Sequence, residues 1–376
     1  MEAYKKKLLI TFSIVLVLLS GGLGIYFQIS TTRIWYDTTE EMYLDVGRDD
    51  GVKVSLHNDI AFISYELYGF KVYNFSDSNN PELINQVNVP NTYVTDHFLV
   101  NHTYYLLNYK NLSIYDVTDP INIVEIGHYD RESMICGIYV NEGIAYLNTR
   151  ESFLILNVSD PSHIQKLSET PILLIDQNER GIAYQDGIVF LASYGQGVVI
   201  YDVEDPTSPQ LVSQVDDYGY ISIIDEARTV SVSNDLMFVS DGIHGMVIFN
   251  ISDLTNIYRI SVFSNSIPRS VLMEDSTLYI ADYFAGLKTL DISNLPSVIE
   301  QCDFVDRRGM RSILPFGDDV LILGKGGLSI VNTARGEGRN PAQVSYIRQI
   351  IPGVYEIAGI SMLVIYLLTK LKKANI

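Results

Sequence analysis

At 376 residues, 47% hydrophobic and 11% aromatic, the chain holds enough apolar material for a large core, which excludes a disordered polymer. Its 45 acidic residues against 26 Lys and Arg give a formal charge of −19, which excludes nucleic acid as a natural partner and suits solubility in salt or attraction of cations. The 26 tyrosines favour strands over helices. In chain order, residues 1–7 carry Lys5, Lys6 and Lys7 and precede an uncharged stretch, residues 8–27, long enough to cross a bilayer. The lysines place residues 1–7 in the cytoplasm and the bulk of the chain outside the cell. The same stretch reads equally as a signal peptide, because Ser20, Gly21 and Gly22 follow its apolar core. Residues 28–51 form a juxtamembrane segment, with Trp35 and Tyr36 suited to an interface and a short strand over residues 42–46.

Residues 52–348 are repetitive. The unit VVIYDVEDP from Val198 returns as FKVYNFSDS, LSIYDVTDP, FLILNVSDP, MVIFNISDL, LKTLDISNL and LSIVNTARG, seven copies in all. The shared Asp or Asn falls at Asn74, Asp116, Asn157, Asp202, Asn250, Asp291 and Asn332, in steps of 41 to 48 residues. That is the period of a four-stranded propeller blade. In each copy a β-branched, aromatic run makes a buried strand, and Asp with Pro ends it, since the carboxylate caps nearby N–H groups and Pro cannot donate to a ladder. Ahead of it lies a pair of alternating strands joined by a polar turn, such as RGIAYQDGIVFLA from Arg180. The fold class expected is therefore all-β, a seven-bladed β-propeller ectodomain flanked by N- and C-terminal transmembrane helices, with an open solenoid as the alternative. The last fourth strand is expected at residues 342–347. A second apolar span, residues 350–369, is interrupted only by Glu356 and followed by Lys370, Lys372 and Lys373, so residues 370–376 are read as cytoplasmic.

The repeats resemble the LVIVD-repeat family, most clearly at residues 198–203 and 328–331 and in the turn Asp202-Val203-Glu204-Asp205-Pro206. The resemblance implies a propeller on a bacterial or archaeal cell surface and brings no shared catalytic site.

Candidate site residues come from the repeat's exceptions. Arg180, Arg228, Arg269 and Arg311 occupy one position at the start of the first, innermost strand, where the other repeats carry Val52, Asp96 and Cys136. Four guanidinium groups at a channel mouth could hold a carboxylate, sulfate or phosphate, or fasten the seams between blades. Asp96, at the facing position, is the first candidate acid. Two long connections, residues 168–179 and 216–227, carry Asp176, Glu179, Asp216, Asp217, Tyr218, Tyr220, Asp225 and Glu226, a mixture suited to a cation, a sugar or a peptide. Glycosylation sequons lie at Asn74, Asn101, Asn111, Asn157 and Asn250. The pairs Asp116 with Asp119 and Asp202 with Asp205 are read as turn caps, with calcium as the lesser alternative and no other cofactor or metal expected. Catalytic motifs are absent: the six histidines lie at unrelated repeat positions, and there is no phosphate loop or nucleophile elbow. The reading is a membrane-anchored, non-catalytic binding or scaffolding module for a surface protein or glycan. Its alternatives are a glycan hydrolase with paired carboxylates at the channel mouth and an accessory ectodomain of a transporter or surface layer.

Overall fold

A computed structural model of the protein describes residues 42–77, 81–89, 92–172, 181–193, 195–215, 227–242, 245–264, 266–305, 309–316 and 319–332. No α-helix occurs among them, and none of their elements could cross a membrane as a helix. Both apolar spans lie outside the described residues, as do residues 342–347.

Each repeat folds as an antiparallel sheet whose strands follow chain order. The first holds β1 (Met42–His57), β2 (Ile60–Tyr65), β3 (Gly69–Asn74) and β4 (Glu82–Asn88). The second holds β5 (Val94–Val100), β6 (Thr103–Asn108), β7 (Asn111–Asp116) and β8 (Val124–Asp130). Next come β9 (Ile135–Asn141), β10 (Ile144–Thr149), β11 (Ser152–Asn157) and β12 (Gln165–Pro171), then β13 (Ile182–Gln185), β14 (Ile188–Ala192), β15 (Val198–Asp202) and β16 (Gln210–Val215). The fifth holds β17 (Ala227–Ser233), β18 (Leu236–Asp241), β19 (Met246–Asn250) and β20 (Tyr258–Phe263), and the sixth β21 (Pro268–Glu274), β22 (Thr277–Asp282), β23 (Gly286–Asp291) and β24 (Ile299–Val305). The last repeat contributes β25 (Ser312–Phe316) and β26 (Asp319–Asn332), which join the first repeat in one six-stranded sheet ordered β25-β26-β1-β2-β3-β4.

That join closes the array. Met42 pairs with Ile330 and Asp45 with Gly327, which gives residues 42–45 the place a fourth strand takes in the other repeats. The strand paired there with β26 comes from the segment read as juxtamembrane, and the fourth strand expected at 342–347 lies outside the described residues. An open solenoid would leave these two ends apart.

First and second strands meet through two-residue turns whose leading residue has positive φ: Asn58, Asn101, Glu142, Asp186, Asn234 and Asp275. Asn and Asp tolerate that region, and the twist of such turns matches the strands they join. Third strands are apolar almost throughout, as in β15 (VVIYD), because they lie inside a sheet that is itself covered on both faces. Fourth strands are mostly exposed and form the outer edges.

The core is layered between neighbouring sheets. Leu107, Leu112 and Ile114 of the second repeat pack on Ile138, Leu147 and Leu154 of the third, all essentially buried. The closing layer has the same form, with Ala61, Ile63 and Tyr65 against Leu321, Leu323 and Leu328. Each such aliphatic side chain contributes roughly 1.5–3 kcal/mol by leaving water.

The organising motif has a second use. At every repeat with a described third-strand end, the Asp or Asn side chain accepts the N–H two residues on, as Asp202 Oδ1 does from Glu204 at 2.9 Å, and Asp205 does the same from Thr207 at 3.0 Å. The proline carbonyl that follows then receives the preceding repeat. Asn85 Nδ2 donates to the Pro120 carbonyl at 3.1 Å, Ser168 Oγ to Pro206 at 2.8 Å and Ser261 Oγ to Pro296 at 2.9 Å. At the second repeat this position is Gly127, where an added Cβ would lie 1.9 Å from the Pro161 carbonyl oxygen.

Replacement of Gly127 with Ala should therefore force the second and third repeats apart and cost about 1–3 kcal/mol, whereas Ser168→Ala should cost only about 1 kcal/mol. Urea unfolding midpoints of the two variants check the ranking, and equal losses would show that this contact does not set the spacing of the sheets.

Candidate functional site

Antiparallel order puts two kinds of connection at one end of the sheets: the turns between second and third strands, and the crossings from each fourth strand to the next first strand. At this end lie Lys110, Arg131, Arg150, Arg228, Arg269, Arg311 and Lys325, and with them Asp50, Glu66, Glu132, Glu151, Asp241 and Asp282. The opposite end holds the first-to-second and third-to-fourth turns, with Asp59, Glu142, Asp186, Asp235, Glu274 and Asp275 in the former and Asp116, Asp119, Asp160, Asp202, Asp205, Asp253 and Asp291 in the latter. Among the described residues one end is thus acidic, while the other, called the cationic end below, gathers most of the arginines together with carboxylates.

The arginine position has a structural identity. Five of the seven first strands carry a one-residue bulge near their start, which leaves Val52, Thr95, Cys136, Arg228 and Arg269 as the extra residue. A bulge re-aims its side chain and twists the strand away from its neighbour. Arg311 sits just before β25, its N–H donating to the Leu323 carbonyl at 2.8 Å. Arg180 lies outside the described residues, as do all eight loop residues Asp176, Glu179, Asp216, Asp217, Tyr218, Tyr220, Asp225 and Glu226. Asp96 lies one residue beyond the bulge, which in its repeat is Thr95. Aligning that repeat from Asp96 is therefore off by one, because its hairpin turn has the same two residues as the others.

Asp96 fastens three repeats. Its carboxylate takes the Lys53 ammonium at 2.8 Å, its neighbour's N–H at 2.8 Å and the Ile138 N–H at 3.1 Å. Lys53 also donates to the His97 carbonyl at 2.7 Å. His97 is fully buried beside this pair, Nδ1 at 2.7 Å from Ser64 Oγ and Nε2 at 2.8 Å from Ser55 Oγ. Burial, and then the Lys53 ammonium, hold its pKa well below the ordinary 6.5.

The arginines divide by role. Arg311 spans the closing seam, 3.5 Å from Asp50 and 3.7 Å from Glu66, and Lys325 shares Asp50 at 3.5 Å. Beside them burial, a hydrogen bond to Glu66 and its charge push the Tyr93 hydroxyl up to about 12. Arg269 stacks its guanidinium on the Tyr283 ring, 4.8 Å from the centroid, and burial lowers its pKa. Arg228 is half-buried, and its carbonyl accepts the Gly181 N–H at 2.7 Å. Asp50, Glu66, Tyr93, Tyr283 and Lys325 were not singled out by sequence, although all but Asp50 and Tyr93 fall in the turn between second and third strands, which varies most from repeat to repeat.

Among the sequons, Asn101 is exposed at a hairpin turn, while Asn74, Asn157 and Asn250 are half-buried with Oδ1 accepting the N–H of Ser76, Ser159 and Ser252. Asn111 accepts from Asn108 Nδ2 at 2.7 Å. The turn carboxylates are similarly engaged: hydrogen bonds from Thr118 hold Asp116 below the usual range, and those from Thr207 do so for Asp205. Among the described residues no three His, Cys, Asp or Glu side chains gather as metal ligands.

Repeated four-stranded antiparallel sheets, with the last joined to the first, define a β-propeller repeat protein. The family model described as the LVIVD repeat matches four of its repeats, at residues 134–168, 180–217, 225–261 and 270–305. No curated protein matches it in sequence. Among solved structures, a chain of the mitotic checkpoint complex is similar at a TM-score of 0.62 with 14% identity, covering 82% of this chain and 98% of that one. Sqt1 of Saccharomyces cerevisiae is similar at 0.59 with 11% identity over 79% and 86%, and the Cps50 (Swd1) β-propeller domain of Myceliophteria thermophila at 0.59 with 10% identity over 77% and 99%. At such identities the likeness is one of fold.

The buried histidine makes the seam between first and second repeats sensitive to acid. The unfolded chain takes up a proton at His97 as pH falls through 6.5 whereas the folded chain does not, so its contribution is complete above 6.5 and is lost below it. Unfolding midpoints measured from pH 8 to pH 5 should fall more steeply for the wild type than for His97→Gln, and parallel profiles would remove His97 from the account.

Proposed function

We propose that the chain is a membrane-anchored, non-catalytic binding module with a seven-bladed propeller outside the cytoplasm, taking a protein or glycan partner at its cationic end. The blade count treats the six-stranded sheet as two blades: residues 319–323 pair with β25, residues 327–330 pair with the start of β1, and β1 then continues into the first blade. The observation that carries the reading is the position of the chain ends. Met42 and Ile330 are paired at the acidic end, so the described strands begin and stop side by side there, which suits two neighbouring anchors. The cationic end then points away from the membrane, and its exposed aromatic side chains with Arg228 and Arg269 are the groups proposed to meet a carboxylate or sulfate. Asp96 serves the seams in this reading, and calcium is unfavoured at the repeat turns because their carboxylates already accept backbone N–H groups. That solved propellers of similar fold include a chain of a protein assembly agrees with a protein partner.

The full chain should remain with membranes after an alkaline wash, and Lys110→Cys should react with an impermeant thiol reagent on intact cells. Release by the wash, or labelling only after lysis, would overturn the anchoring. Titration with sulfated oligosaccharides and acidic peptides should lose about tenfold in affinity in Arg228→Gln with Arg269→Gln, a difference of about 1.4 kcal/mol, with little change in melting temperature. A large loss of stability instead would assign both arginines to the seams.

A further inference from the structure

We infer that the cationic end pairs head to head with the same face of a second copy of this chain. This rests on the reading of that end as the binding face and goes further by naming the partner. Five large apolar side chains are exposed there: Leu67 (58%), Tyr68 (46%), Tyr93 (38%), Tyr109 (40%) and Phe284 (61%). In the turns of the acidic end, among the described residues, only Ile121 is comparable.

The first four are contiguous. The Val94 N–H donates to the Glu66 carbonyl at 2.8 Å, which sets Tyr93 beside the turn that bears Leu67 and Tyr68. Thr92 hydrogen-bonds to Asn108, which brings Tyr93 equally to the turn that bears Tyr109. Phe284 approaches from the sixth repeat, edge-on to Tyr283 at 4.9 Å, with the Arg311, Lys325, Asp50 and Glu66 cluster between it and the tyrosines. Exposed Tyr, Phe and Leu around a centre of compensated charge is a composition suited to an interface.

Charge selects the occupant. A contact about a two-fold axis must be its own complement, so it needs both signs on one patch, and here two cations stand against two carboxylates. Elsewhere the formal charge of −19 opposes the approach of another copy, most of all at the acidic end. The chain also continues from the acidic end at both Met42 and Asn332, so neither continuation starts on this face. Pairing of this kind would put the chain ends of the two copies at the far extremes of the dimer.

The test is sedimentation equilibrium of the full chain in detergent over a hundredfold range of concentration. The wild type should show a monomer–dimer equilibrium that tightens with added salt, because salt screens like-charge repulsion and leaves apolar contact intact. Tyr68→Glu with Tyr109→Glu should weaken it by about a hundredfold at an unchanged melting temperature. Oxidation should trap dimers of Tyr109→Cys and not of Ser276→Cys at the acidic end. A monomer at every concentration, a dimer indifferent to the double variant, or trapping only through Ser276→Cys would each overturn the inference. A monomer that still binds sulfated glycan through Arg228 and Arg269 would overturn it while leaving the binding-face reading in place.

Discussion

The ladder between residues 42–45 and residues 327–330 is the constraint on which the remaining structure depends. A row of stacked sheets has two terminal sheets whose outer faces cannot be buried by a neighbour. Closing the row abolishes both faces together, and here closure uses main-chain hydrogen bonds in addition to side-chain packing. Without that ladder the layer of Ile63, Tyr65, Leu321 and Leu328 would lose one of its walls. The ion pairs of Arg311 with Asp50 and Glu66 exist only across this seam.

Neighbouring repeats are held by two grips, one at each radius. At the outer edge, the carbonyl after each Asp-Pro turn receives a small polar side chain from the repeat before it, or a glycine where no side chain fits. Close to the axis, the first-strand bulge frees a residue to reach sideways, as Thr95 Oγ1 does to the Ile135 carbonyl at 2.8 Å. The first seam adds to this economy, because Lys53, Asp96, His97, Ser55 and Ser64 form a partly buried polar network beside the apolar layer of Phe62, Phe70, Tyr104 and Leu106. Such a network is tolerable only because each ring nitrogen and the ammonium finds an acceptor or donor.

Sorting of charge follows from the turns. Carboxylates accumulate where the repeat needs Asp and Asn to cap strand ends and to adopt positive φ, which places them at one end. Most arginines have no such duty and lie at the other end, where Asp50 and Glu66 accompany those at the closing seam. Partner binding at the cationic end is therefore compatible with the stability of the repeats, since the groups that would bind are not those that terminate strands.

The period, the strand content and the turn chemistry were all legible in the residues, because each is local: a buried run, an Asp-Pro stop and a two-residue hairpin are written within about ten positions of one another. The LVIVD character of the third strand belongs to the same class, and so does the excess of acid over base. Which strand covers the last repeat was not legible, since residues 42–45 and 342–347 offer the same local pattern and only pairing in space distinguishes them. Nor was the clustering of Asp50, Glu66 and Tyr93 with Arg311 and Lys325, two groups that lie at opposite ends of the repeats along the chain. Sequence by itself determined the repeat and its strands, whose signals are nearest-neighbour. Tertiary structure alone decided the closing ladder, the seam network around His97 and the make-up of the cationic end, because each depends on contacts made only when the first and last repeats, or two successive sheets, come face to face.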